Sequence, residues 1–244
     1  MENIYGKENY YIAVILAAGQ GSRMESKVAK QYMSIHGKPM LYYSLKAFQD
    51  SQVDEIILVV GKDEVNYCKE HIVQQYGFNK IKSIVVGGEE RYLSVNNALQ
   101  VIKEESVGLH DAKNHYVLIH DAARPLITQK IIEDAIQGVT CNNAVVVAVP
   151  SKDTIKIVDE TGVIEHTPKR SLTYIIQTPQ AFELELLMRS YEEVMKASNL
   201  EITDDAMVVE YGSKHSIKIV QGSYKNIKVT TPEDIQIAEM LMSI

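Results

Sequence analysis

The chain is poor in what several chemistries require. Its 244 residues include two cysteines, Cys68 and Cys141, in no metal-binding or redox spacing. That argues against a disulfide framework, a thiolate metal site or a dithiol centre; both read as reduced, buried thiols of a cytoplasmic protein. No apolar run approaches the ~20 residues of a membrane span, and no low-complexity tract appears. The first ten residues are polar, lack the apolar core of a signal peptide, and read as a flexible lead-in. Cations are in deficit, with 25 Lys and Arg against 32 Asp and Glu and a formal charge of −7. A nucleic-acid partner needs a basic face and is disfavoured, whereas a small phosphorylated ligand needs only a local cluster of Lys and Arg. No Ser-His-Asp or Cys-His set, histidine pair at metal spacing, or paired acid–base carboxylates stand out.

What is present is a regular alternation. Apolar runs at Tyr11 to Leu16, Glu55 to Val60, Ile84 to Val86, Tyr116 to Ile119 and Ala144 to Val149 read as strands. Between them, segments Pro39 to Gln49, Asp63 to Tyr76, Arg91 to Lys103 and Gln129 to Val139 carry apolar residues at helical spacing. Strands alternating with amphipathic helices predict parallel βαβ units, and strands apolar throughout predict a sheet covered on both faces. Ligands of such sheets bind beyond the carboxyl ends of the strands. Leu184 to Lys196 and Asp204 to Tyr211, the latter capped by Thr203, read as helices, and Ile217 to Val220 and Ile227 to Thr230 as strands. Thr231-Pro232-Glu233-Asp234 starts a last helix.

The rhythm breaks at Ser151 to Lys169. Thr154 to Val158 and Val163 to Thr167 alternate polar and apolar residues around Asp159-Glu160-Thr161-Gly162, as an antiparallel hairpin does. A lone two-stranded ribbon is marginal in water, so the hairpin is expected to pack on something, naturally a second subunit. No composition shift divides the chain. The expected organisation is one domain, residues 11–244, with an arm at about 151–169 and a lead-in at 1–10.

Three loops fall at strand ends and are expected on one rim. In the first, Ala17, Ala18, Gly19 and Gly21 allow a tight turn whose N–H groups approach an anion, with Arg23 and Lys30 behind it. A dinucleotide fingerprint would need a third glycine where Met24 stands, and the Gly37-Lys38 pair lacks the rest of a Walker loop. The second is Gly87-Gly88, followed by Arg91 and Ser94 at a helix start. The third, His120 to Pro125, places Asp121, suited to Mg²⁺, beside Arg124. Asp121 standing alone would be a turn cap, Arg91 suits a ligand or a structural role equally, and His120 reads as structural. Lys228, in an otherwise apolar segment, points to the same rim. Cations, backbone donors and one metal carboxylate suit phosphoryl or nucleotidyl transfer, where catalysis is mostly positioning and charge stabilisation.

In order, LAAGQGSRM, KQY with GKPML, GGEERYLSV, HDAARPLI, DTIK, TPKRS, QTPQAF, TDDA and NIKVTTPEDI resemble the 2-C-methyl-D-erythritol 4-phosphate cytidylyltransferase family from about Ile12 to the C-terminus. The resemblance implies an α/β, Rossmann-like, three-layer nucleotidyltransferase fold with a mostly parallel sheet, helices on both faces and a protruding β-hairpin dimerisation arm. It implies that CTP meets Ala17, Ala18, Gly19, Gly21, Arg23, Lys30, Gly88, Ser94, Asp121 and Ala122. Arg23, Lys30 and Lys228 would be catalytic, and Asp121 would bind Mg²⁺. Arg124, Thr154, Arg170, Thr178 and Lys228 would hold the polyol phosphate, with Thr154 and Arg170 serving the neighbour's site in a cytoplasmic homodimer. The chain departs from the family pattern at Ala29, where proline is usual, at Leu93 for aspartate, and at Thr173-Tyr174 for Leu-Trp; the missing proline would loosen the loop that carries Lys30. Ribitol 5-phosphate is the alternative acceptor, although Ala122-Ala123 looks more like the methylerythritol enzymes. A non-catalytic nucleotide-binding protein is a distant alternative.

Overall fold

In the computed structural model, residues 8–19, 29–105, 112–197 and 200–243 are described. Strand β1 (Asn9–Ala17) is almost wholly buried, and alternate side chains enter different cores. Tyr11, Ala13, Ile15 and Ala17 face one layer of helices: α1 (Met40–Gln49), α2 (Val65–Cys68, continued by a π-helical stretch Lys69–Gln74) and α4 (Gln129–Asn142). Ile12 and Val14 face the other: α3 (Arg91–Glu105), α5 (Leu184–Val194) and α6 (Asp205–Gly212). Double coverage is why the strand is apolar without alternation. Each fully buried Ile or Leu contributes about 1.5–3 kcal/mol relative to exposure.

The sheet also takes β4 (Glu55–Val60), β5 (Ile81–Val86), β6 (Asn114–Asp121), β7 (Ala144–Pro150), β10 (Tyr174–Glu183) and β11 (Lys218–Gln221), in the order β11-β7-β10-β6-β1-β4-β5. A small hairpin, β2 (Ser34–Ile35) with β3 (Lys38–Pro39), leads into α1. The sheet is mostly parallel, as expected, but β10 runs antiparallel between β6 and β7. The pattern hides β10 because Pro179 stands in its middle, and a proline inside a sheet is confined to edges and bulges. The ladder to β7 shifts register between Ile176 and Gln180, and that irregularity accommodates the proline.

Other corrections are local. Ile227 to Thr230 forms no strand: Asn226 N and Ile227 N bond to Ser223 O and Lys225 O in turns, and Val229 N alone reaches across, to Ala123 O at 2.8 Å. The cap of α6 is Asp204, whose carboxylate accepts from Met207 N, not Thr203. Cys68 is buried, but Cys141 is exposed. The last helix, α7 (Pro232–Met242), starts where expected, with Asp234 reaching back to Thr230 N and Thr231 N at 2.7 and 2.9 Å.

The hairpin exists, with strands shorter than expected: β8 (Ile157–Val158) and β9 (Ile164–His166). Asp159 organises its turn by accepting from Thr161 N and Val163 N, both at 2.9 Å. Val163 is 62% exposed and Ile164 57%, so no described element of the chain covers these two. Among the described residues no helix is long and apolar enough to cross a membrane.

Candidate functional site

The three strand-end loops do share one rim. Ala122 N extends the β6–β1 pairing by donating to Leu16 O at 2.9 Å, which sets the HDAARP loop beside Ala18 and Gly19. From the other side the β5 loop comes close: a Cβ on Gly87 would lie 2.4 Å from the Cβ of Ala18, so only glycine permits the crossing. Ser94, one turn into α3, fastens this loop by accepting from Gly88 N at 3.0 Å. Between the loops lies a cavity of about 370 Å³. Ala17, Ala18, Gly19, Lys30, Gly88, Ser94, Asp121, Ala122 and Lys228 all line it. Gly21 and Arg23 lie outside the described residues.

A charged cluster forms the wall of this cavity. Asp121, the last residue of β6, accepts from Arg91 Nε at 3.1 Å on one oxygen and from Lys228 Nζ at 2.7 Å on the other. Burial would raise its pKa, but Arg91, Lys228 and Arg124 more than offset that and hold it well below the usual carboxylate range. Arg91 Nη1 lies 2.7 Å from Asp205 Oδ2, an ion pair by distance without straight hydrogen-bond geometry. Asp205 is fully buried, accepts from Tyr191 OH at 2.8 Å, and has its pKa raised by burial against the pull of Arg91. Arg91 is therefore structural in its contacts while still lining the cavity. The TDDA segment signals only a helix start in the sequence; that its second aspartate turns inward to Arg91 depends on how α5 and α6 pack.

A second cavity, about 280 Å³, adjoins the first and shares Arg91, Asp121 and Lys228 with it. Arg124 and Thr178 line it. Arg124 Nη1 donates to Asn226 O at 2.8 Å, while its Nε is buried with no hydrogen-bond partner. Asn226 is fully buried and ties the segment before Lys228 to Thr178 O at 3.0 Å, a role its sequence position does not suggest. Thr154 and Arg170 are together elsewhere, in a cavity of about 220 Å³ at the base of the arm, which shares no lining residue with the other two.

His120 is structural. Its Nε2 lies 3.2 Å from Arg124 O, which only accepts, so Nε2 carries the proton; Nδ1 then accepts from Thr178 Oγ1 at 2.9 Å. Burial, assisted by Arg124 and resisted by Asp121, lowers its pKa to about 4. A histidine depressed on folding contributes stability that is present above the unfolded pKa and lost as pH falls towards the folded one. Unfolding stability should thus drop by on the order of 3 kcal/mol between pH 6.5 and 4, a window above the range in which a depressed carboxylate such as Asp121 titrates. Urea melts across that window should show the slope in the native protein and its loss in His120→Gln; an equal slope in both would assign it elsewhere.

Known proteins similar to this chain share one family. A model of the 2-C-methyl-D-erythritol 4-phosphate cytidylyltransferase family matches residues 11–244. The protein of that name from Lachnoclostridium phytofermentans is 50% identical over 230 residues, covering 94% of this chain and 95% of its own. Its counterpart from Caldanaerobacter subterraneus subsp. tengcongensis is 43% identical over 231 residues, 94% of this chain and 97% of its own. The crystal structure of 4-diphosphocytidyl-2C-methyl-D-erythritol synthase from Anaerococcus prevotii superposes with a TM-score of 0.82 at 33% identity, covering 97% of each chain.

Proposed function

Because the chain belongs to the 2-C-methyl-D-erythritol 4-phosphate cytidylyltransferase family, we propose that its two adjoining rim cavities hold the two substrates side by side, with Asp121 and Lys228 in the wall between them. The chain is a nucleotidyltransferase: it transfers the cytidylyl group of CTP to 2-C-methyl-D-erythritol 4-phosphate. The shared wall is the observation that carries the assignment of cavities, because the attacking phosphate must meet the α-phosphorus of CTP at one place.

In this reading CTP occupies the larger cavity, its triphosphate against Gly19 and Lys30 and its nucleoside towards Gly88 and Ser94. Methylerythritol phosphate occupies the cavity of Arg124 and Thr178. Its phosphate is already ionised at neutral pH, so it attacks the α-phosphorus without a protein nucleophile and expels pyrophosphate. Lys30 and Lys228, with Arg23, offset the charge that gathers around five-coordinate phosphorus.

Mg²⁺ fits Asp121. The carboxylate is held ionised, and each oxygen keeps a lone pair beyond the one facing Arg91 or Lys228. Mg²⁺ is usually held by one or two carboxylates with phosphate oxygens and water. Among the described residues Asp121 is not joined by two further His, Cys, Asp or Glu side chains, so a bound ion would take its remaining ligands from phosphates and water. When bound, the ion neutralises triphosphate charge. Pyrophosphate release with CTP and Mg²⁺, offering methylerythritol phosphate and ribitol 5-phosphate in parallel, tests the acceptor: methylerythritol phosphate should support turnover, and preference for ribitol phosphate would overturn the reading.

The arm completes the site from a second copy. Its uncovered apolar strands and the separate cavity holding Thr154 and Arg170 support an isologous dimer in which these residues grip the partner's methylerythritol phosphate. Arg170→Ala should raise the KM for that substrate and leave CTP binding nearly unchanged. At methylerythritol phosphate well below the raised KM, where each variant alone turns over little, Lys30→Ala and Arg170→Ala proteins should regain activity when mixed under subunit exchange, because each mixed dimer has one site free of both lesions. No recovery despite proven exchange would place Arg170 in its own chain's site.

A further inference from the structure

Lys30 sits on a single 3-10 turn, Lys30–Tyr32, whose Tyr32 ring packs on Tyr67 and the core and whose hydroxyl also meets Cys68 Sγ at 3.0 Å. Among the described residues the turn's backbone bonds are Tyr32 N to Ala29 O at 2.9 Å and Met33 N to Lys30 O at 3.1 Å, and no described side chain caps it. A turn of this kind has poor hydrogen-bond geometry and little stability of its own. The two residues that follow Lys30 reach sideways instead, to one carboxylate. Gln31 Nε2 donates to Glu64 Oε2 at 3.2 Å, and Tyr32 OH donates to the same oxygen at 2.9 Å. Gly61 N is the third donor to it, at 3.0 Å. Gly61 directly follows β4, whose last residue, Val60, pairs with Ala17 at the end of β1. Glu64 therefore links the Lys30 turn to the strand ends that form the rim.

Glu64 also closes the turn after β4, where its own N–H donates to Gly61 O at 3.0 Å. It stands at the N-cap position of α2, yet its side chain caps no amide of that helix. It lines neither rim cavity, so it does not meet the substrates. The approach is close: a Cβ on Gly61 would lie 3.0 Å from Glu64 Cδ and Oε2, so the carboxylate would have to shift by a few tenths of an ångström. Gln31 is 3% exposed, so its bond to Glu64 is shielded from water. Bonds to an ionised carboxylate are roughly twice as strong as neutral ones.

We propose that Glu64 is a positioning residue for Lys30: through Gln31 and Tyr32 it fixes the turn that aims Lys30 at the reacting phosphate. The proposal rests on the assignment of Lys30 to transition-state charge. Pyrophosphate release would be measured, with CTP and methylerythritol phosphate, for the native enzyme, Glu64→Gln, Glu64→Ala, Lys30→Ala and the Lys30→Ala/Glu64→Ala double variant. Glu64→Ala should lower kcat by about 10- to 10²-fold, the cost of a small misplacement, with the KM for CTP changed less than about threefold. Glu64→Gln should keep most of kcat, since an amide oxygen still accepts from Gly61 N and Tyr32 OH. The double variant should be no slower than Lys30→Ala, because residues acting as one unit are not additive.

Losses that multiply, or a near-native Glu64→Ala, would overturn the proposal and leave Glu64 a residue of the fold only. Where Glu64→Ala fails to fold, Tyr32→Phe carries the same test: a smaller loss of kcat that vanishes in the Lys30→Ala background, or a persisting loss that overturns the proposal. A near-native Lys30→Ala would be a different failure, that of the Lys30 assignment itself, and the proposal would fall with it.

Discussion

Asp121→Asn is expected to remove most cytidylyl transfer at ordinary Mg²⁺, by about 10²–10³-fold, and to move the Mg²⁺ requirement upward. An asparagine keeps the shape but offers a neutral oxygen, a weaker ligand for a hard dication. Two effects separate in the titration. The loss due to metal affinity should recover as Mg²⁺ is raised. The loss due to Lys228 should not, because the carboxylate 2.7 Å from Nζ no longer holds that cation between the two substrates. A melting temperature below native is expected as well, since Arg91 keeps Asp205 but loses the second charge it faces. Unchanged activity together with unchanged metal dependence would reduce Asp121 to the capping residue of a turn.

The same cluster marks where the sequence is readable and where it is not. Asp121, Arg124 and Lys228 are legible because each stands next to a strand end or in an apolar segment, where a charge is out of place. The site's backbone is legible for a related reason: β1, β4 and β7 are buried on both faces and must be apolar throughout. Arg91 is undecidable by spacing, because its role depends on Asp205, and Asp205 reaches it only after α6 packs against α5. Strand β10 is lost to a real rule, the exclusion of proline from strand interiors, which a register shift circumvents. The opposite error falls at Ile227 to Thr230, whose β-branched pattern suits a strand although Ile227 N goes to a turn, Val229 N to a loop carbonyl and Thr230 N to the Asp234 carboxylate. Adjacent Thr203 and Asp204 are both good N-caps, and only the geometry selects the aspartate. At Ala29, where the family pattern has proline, φ is −59°, a value that proline would impose.

Lys30→Ala is the second large effect expected, a fall in turnover of about 10²–10³-fold, the usual cost of one well-aimed electrostatic donor. The lysine lines the larger cavity together with Asp121 and Lys228, where the triphosphate is placed in this reading. Charge on the α-phosphate grows as phosphorus becomes five-coordinate, so a fixed cation contributes more in the transition state than in the ground state. CTP affinity should therefore change much less than kcat, with the backbone of the Gly19 and Gly88 loops still in place to bind the nucleotide. Lys30→Arg should fall between native and alanine, because a planar guanidinium keeps the charge but not the compact ammonium geometry. Steady-state turnover and direct CTP binding, measured on all three proteins, separate the alternatives. A loss confined to CTP affinity would make Lys30 a ground-state contact, and near-native turnover in Lys30→Ala would remove it from the chemistry altogether.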